Sequence, residues 1–109
     1  MGVVNKDTPS RKASSILRGF ARETVNRNLG NVLRFIDSRL QYFIDWEGSS
    51  MEGNPEHLSW VWGIQSELRD LNYLGLVPDH VFNPVYELLQ EAIDHSKEVR
   101  AARHEQSHI

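Results

Sequence analysis

The chain contains no cysteine. Disulfides, thiolate metal sites and cysteine nucleophiles are thereby excluded, and the composition favours a reducing, cytoplasmic setting. Long apolar runs are also missing, so no segment resembles a membrane span. Met1 to Ser10 carries no apolar signal core, and Lys6 stands where an N-myristoylation signal wants Ser or Thr. No Asn-Gly or Asp-Gly pair marks a hairpin. No Gly-x-Ser-x-Gly element or phosphate-cradling glycine loop suggests an enzyme of those kinds. The expectation is a chain that stays in solution, holds no cofactor and catalyses nothing.

What remains is an ordinary globular composition: 109 residues, 39% hydrophobic and 25% charged. A chain of this size forms one domain that buries roughly 65% of its unfolded surface. The charges are unevenly spread. Residues 1–40 hold eight Lys/Arg and three Asp/Glu (+5), and residues 41–109 hold four and twelve (−8), which sum to the net −3. Either the two halves satisfy one another or each meets a different partner.

Only four prolines occur, and they act as punctuation. Thr8-Pro9, Asn54-Pro55 and Asn83-Pro84 each place a capping side chain before a residue suited to the first helical position. Gly75, shortly before Pro78, suits the left-handed residue that ends a helix. At about 100° per residue, Val25, Leu29, Val32, Leu33, Ile36, Leu40, Phe43 and Ile44 share one face of a segment over 25–46. In the last segment Val85, Leu88, Leu89, Ala92, Ile93, Ser96 and Val99 do the same. The stripe Ala13, Ile16, Leu17, Phe20, Ala21 lies roughly 150° away from the one that begins at Val25. That offset means a break near Glu23-Thr24 or a long helix that changes neighbours; a short separate helix or arm is the preferred reading.

The predicted fold is all-α: a small bundle of three main helices over 25–46, 55–74 and 84–103, with an N-terminal helical arm around 9–22. Residues 1–8 are expected to be disordered and 104–109 to form a flexible tail, leaving 9–103 as the single domain. The expected core includes Val32, Ile36, Leu40, Val61, Ile64, Leu68, Leu88, Leu89 and Ala92. Trp60 and Trp62 are two residues apart and point to nearly opposite sides, so the third segment is either sandwiched or leaves one tryptophan outward.

His104-Glu105-Gln106-Ser107-His108 is a literal H-E-x-x-H, the spacing with which a helix offers zinc two imidazoles and a carboxylate to activate water. Only Ile109 follows it, so no third ligand lies downstream and no pocket wall encloses it. A metal-dependent hydrolase through His104, Glu105 and His108 is therefore a remote alternative, and no metal site is expected.

Glu87, Glu91, Asp94 and Glu98 form an acidic stripe, and Arg11, Arg18 and Arg22 a basic one at matching spacings. The bland reading of each is a solvated face. The sharper one is that the stripes meet each other, or that each meets a partner. Aromatic residues left outside a core are common hot spots. Tyr42, Trp46 and Trp60 are the candidates, because each falls at the edge of its helix's apolar arc. Together these features point to a non-catalytic protein–protein interaction module, a homodimer and a regulatory, inhibitor, immunity or antitoxin-like protein in type. The alternative is a nucleic-acid-associated regulator using the basic N-terminal segment.

Overall fold

The computed structural model describes residues 8–107. Four helices follow one another: α1 (Pro9–Glu23), α2 (Arg27–Trp46), α3 (Pro55–Tyr73) and α4 (Asp79–Ser107). Among the described residues the fold is all-α, as the capping and periodicity predict. Each helix packs on two others. α1 lies against α2 and α4, and α3 lies against the same two, so the four close into a ring around one core.

Local chemistry sets the boundaries. Thr8 accepts from the Arg11 N–H at 3.4 Å and Asn54 from the His57 N–H at 2.9 Å, each directly before a proline at the first helical turn. α1 stops at Thr24, and Asn26 starts α2 by accepting from the Leu29 N–H at 3.1 Å. The break expected near Glu23-Thr24 is present, so the N-terminal segment is a separate helix. α3 ends in a Schellman pair. Gly75, at φ +77°, donates to Asn72 O at 2.9 Å, and the Leu76 N–H reaches Leu71 O at 2.9 Å.

Three expectations are corrected. The N-terminal segment is no arm but a full wall of the bundle: Ala13 and Leu17 are wholly buried beside Ser10, Ser14 and Ala21. Its buried stripe is mostly small residues, and α1 packs against both α2 and α4. The last helix begins at Asp79 rather than at Pro84, which sits inside it. Pro78 O accepts from the Val81 and Phe82 N–H groups, so the helix nucleates one turn early. The hydrogen bond that Pro84 cannot make would have used His80 O, on an exposed part of the first turns. α4 also continues to Ser107, beyond the expected Arg103 boundary and into the segment expected to be a tail. Arg103 Nη1 helps to hold it there by donating to Ser49 O at 2.6 Å.

The core gathers Leu17, Leu33, Ile36, Leu40, Phe43, Val61, Ile64, Leu68, Leu89 and Ile93. Burying each such side chain contributes about 1.5–3 kcal/mol. Of the expected core, Leu88 is half-buried and Val32 is 45% exposed. Val32 fails because the buried arc of α2 centres on Leu33 and Leu40, leaving Val32 at its rim toward α3. Val25 also leaves the expected face; it lies in the α1–α2 turn and is fully exposed.

Candidate protein-docking face

α2 presents different chemistry on its two flanks. Toward α1 the flank is polar and satisfied. Asp37 is buried and accepts from Ser14 Oγ at 2.5 Å and from Arg18 Nε at 2.7 Å, while Gln41 Nε2 donates to Ser14 Oγ at 2.9 Å. These donors offset the cost of taking the carboxylate out of water.

Toward α3 the flank is apolar and open. Val32, Phe35 and Tyr42 are 45%, 63% and 59% exposed. With Arg39 and Trp46 they repeat along α2 at spacings of three, four, three and four residues, the period of a helix–helix seam. α3 forms the other bank. Trp60 packs edge-on to Trp46 with ring centroids 4.6 Å apart, and Tyr42 leans on Trp60 at 5.7 Å. Below them a groove of about 460 Å³ runs between the helices, lined by Val32, Phe35, Ile36, Arg39, Glu67 and Leu71 among others. In mid-seam Arg39 pairs with Glu67 across the groove, and its guanidinium carbon lies 4.9 Å from the centre of the Phe35 ring. Its Nε is buried with no hydrogen-bond partner among the described residues. Gly63, one turn before Glu67, leaves open space where a side chain would stand.

The structure thus brings Tyr42, Trp46 and Trp60 into one cluster. Trp46 and Trp60 are half-buried, and the more exposed tryptophan is Trp62, whose ring has Lys97 Nζ 5.7 Å from its centroid. The charged stripes are not brought together. Glu87, Glu91, Asp94 and Glu98 are exposed on α4, whereas Arg18 turns to Asp37 on α2. Arg11 and Arg18 border a polar hollow of about 260 Å³ between α1 and α2. Arg22 joins Arg27 and Arg34 around another of about 300 Å³ at the α1–α2 turn. α1 does pack along α4, but the described ion pairs do not join the two stripes.

The α2–α3 loop is fastened to α4 by buried polar groups that sequence reasoning missed. His57 is fully buried, stacked on Phe43 at 4.0 Å; its Nε2 donates to Phe43 O at 2.9 Å, and its Nδ1 accepts from the Gly53 N–H at 3.0 Å. Burial holds its pKa below the ordinary imidazole value, against the pull of the Phe43 carbonyl and the Glu52 carboxylate. Glu52, also buried, accepts from the Gly48 N–H at 3.0 Å and Ser96 Oγ at 3.2 Å. Glu47 accepts from Ser10 Oγ; burial, then the nearby Glu52, raises its pKa despite that bond and the opposing pull of His95 and Arg11. Each polar group here has a structural partner, so the cluster serves as a fastening.

Of the H-E-x-x-H residues, His104 and Glu105 lie exposed on the last turns of α4, and His108 lies outside the described residues, as does most of the segment 1–8. Among the described residues no group of three His, Asp or Glu is arranged to hold a metal ion. No helix there is long and apolar enough to cross a membrane. Comparison with protein families, curated proteins and solved structures returns no match.

Phe35 and Arg39 are residues of this candidate face that sequence reasoning overlooked. The signal was the second heptad stripe on α2, Val32-Phe35-Arg39-Tyr42-Trp46, which runs beside the main apolar arc. Arg39 in its middle hides it from a count of apolar residues alone.

Proposed function

We propose that this protein is a non-catalytic interaction module that binds a protein helix along the α2–α3 face. The observation that carries the reading is the seam Val32-Phe35-Arg39-Tyr42-Trp46, a helix-packing period that α3 borders along one side while, among the described residues, Val32, Phe35 and Tyr42 stay exposed. The fitting occupant carries apolar residues at the same three-and-four spacing. Aromatic anchors beside a groove and a central arginine are the residue types that dominate such interfaces. A regulatory, inhibitor, immunity or antitoxin-like role is the setting in which such a module works.

The test is a photo-crosslinking amino acid placed at Phe35 in the full chain, with a second variant carrying it at Glu91 on α4. Covalent protein adducts, whether to another copy or to a different protein, are expected from position 35 and not from 91. A chain that gives no adduct at 35, or equal adducts at both, overturns the reading.

A second reading, nucleic-acid association, is favoured by the convergence of Arg22, Arg27 and Arg34 on one hollow. Its signature is salt-dependent binding of an oligonucleotide that is lost when all three are replaced by Glu.

A further inference from the structure

We infer that the hollow at the α1–α2 turn binds one doubly charged phosphoryl group, free phosphate or a phosphate monoester, held by Arg22, Arg27 and Arg34. The inference is independent of the α2–α3 docking face. It uses the arginines of the nucleic-acid reading but commits to a different ligand.

The site is built where one helix stops and the next starts. Arg22 stands on the last turn of α1, Arg27 opens α2, and Arg34 follows two turns later on the same side. All three line one hollow of about 300 Å³, and no Asp or Glu lines it. Its floor is the buried Gly30. A Cβ there would stand 3.4 Å from Ala21 O and 3.5 Å from Arg34 Nη1, so the Arg34 guanidinium is turned back along α2 toward α1.

The hydrogen-bonding groups call for an anion. Three uncharged side chains with an oxygen line the hollow, and each oxygen already accepts within the chain. Thr24 Oγ1 takes the Asn26 N–H at 3.3 Å, Asn26 Oδ1 the Leu29 N–H at 3.1 Å, and Asn31 Oδ1 an N–H of Arg34 Nη1 at 3.3 Å. What the lining side chains still offer is mainly donors: three guanidinium groups and the Nδ2 atoms of two asparagines. A metal ion or an ammonium group would meet like charge here and no carboxylate.

The chain itself leaves that demand unanswered. Among the described residues the ion pairs are Arg18–Asp37 and Arg39–Glu67, so none of the three arginines has a carboxylate partner. This holds in a chain of net charge −3. α2 also begins with a cation and has no acidic residue in its first turn, the reverse of what the positive end of a helix favours. A dianion set among the three guanidinium groups replaces their mutual repulsion with attraction.

The shape favours a single phosphoryl group over a polynucleotide. A strand presents its phosphates in a row, and proteins that follow one set cations along a groove with aromatic platforms for the bases. Here the cations surround one hollow, and no aromatic side chain lines it. Arginine forks grip phosphate oxygens two at a time, and forks from both helices suit a group with three free oxygens.

Nuclear magnetic resonance of the isotope-labelled full chain tests the site. At fixed ionic strength, inorganic phosphate and O-phosphoserine should each shift the amide signals of residues 24–31 saturably, with a dissociation constant of about 1 mM or tighter. Acetate should not. Arg22→Gln and Arg34→Gln should each weaken binding at least ~10-fold with the helical circular dichroism unchanged, since both side chains are exposed. Arg34→Lys keeps the charge but loses the fork and should fall between. Arg69→Gln, an exposed arginine of α3 outside the hollow, should bind as the parent does. O-phosphoserine should bind more tightly above than below its second ionisation near ~6. No saturable shift by about 20 mM phosphate, far above a millimolar affinity, overturns the inference. So does a response that survives in the chain carrying both Arg22→Gln and Arg34→Gln. A 5′-hydroxyl oligothymidylate that binds these residues more tightly than phosphate also overturns it and leaves the nucleic-acid reading standing. Crosslinking from position 35 is decided separately from all of these outcomes.

Discussion

The two flanks of α2 meet neighbouring helices in opposite ways. On the α1 side a carboxylate, Asp37, is taken out of water and given Ser14 and Arg18 as partners. On the α3 side three large apolar side chains stay in water although a helix lies next to them. Burial of apolar surface is the main favourable term in folding. α2 buries a carboxylate, Asp37, on one flank while leaving an aromatic side chain, Phe35, exposed on the other. The closed flank ties α2 to α1 through satisfied polar contacts, and the open flank is the one the proposed docking would use. Substitutions should separate the two: stability should respond on the closed side, association on the open side.

The largest effect is expected where the closed region is tightest. Gly53 has φ +83°, and a Cβ there would clash with Ser96 O and come within 2.7 Å of Arg100 Cβ. Gly53→Ala thus combines a left-handed conformation that disfavours alanine with overpacking against backbone, each worth about 1–3 kcal/mol. Together they should cost about 3 kcal/mol, lowering the thermal midpoint by roughly 15 °C. Gly48 has the same φ with open space around it, so Gly48→Ala should cost no more than the conformational part, about 1–2 kcal/mol. Equal losses at the two glycines would show that the loop is not held against α4.

The flanks themselves are compared by Asp37→Ala and Phe35→Ala. Removing Asp37 takes the acceptor from the Ser14 hydroxyl, which keeps its bond from Gln41, and leaves Arg18 without its carboxylate. Because Arg18 is more than half exposed and can turn to water, the cost should be about 2 kcal/mol rather than that of a fully buried pair. Phe35→Ala removes a side chain that is mostly in water already, so unfolding in urea should change by less than about 0.5 kcal/mol. Comparable destabilisation by both would mean that Phe35 belongs to the fold and the seam is no docking face.

Much of this arrangement was legible in the sequence, and the misses have a common cause. The caps at Thr8 and Asn54, the break before Asn26 and the core of α3 followed from local chemistry and a helical period. Local signals say what a residue can do, not which neighbour reaches it. Asn83-Pro84 is as good a cap signal as Asn54-Pro55, yet Pro78 O had already started the helix upstream. The matched spacings of Arg11/Arg18/Arg22 and Glu87/Glu91/Asp94/Glu98 suggested a pairing, but Asp37 on the adjacent helix offered Arg18 a carboxylate first. Tyr42, Trp46 and Trp60 stand together because residues at the edge of an arc are those that neighbouring helices share. Their convergence on one spot depends on how α2 and α3 align, which no single-helix period contains.

The smallest effect is also the subtlest test of the closed region, because the buried His57 and the half-buried Glu47 respond to acid with opposite signs. His57 cannot gain a proton without turning Nδ1, the acceptor of the Gly53 N–H, into a donor facing a donor. Its pKa is lowered in the folded chain, so below the ordinary value of 6.5 the unfolded chain binds the proton more readily and stability falls as pH drops. Glu47 has a raised pKa, so the folded chain binds its proton first, and stability is recovered as pH falls through that raised value toward the ordinary 4.5. Between these limits the two contributions oppose each other. Glu47→Gln keeps an acceptor for Ser10 and removes the half-buried, partly desolvated charge. At pH 7 it should leave stability equal or higher, by less than about 1 kcal/mol, and between pH 6.5 and 4.5 it should steepen the acid loss by unmasking His57. Urea melts of both chains across this range decide it. Parallel pH profiles would mean that the Glu47 carboxyl is well solvated, and the fastening of the loop would then rest on His57, Glu52 and Gly53 alone.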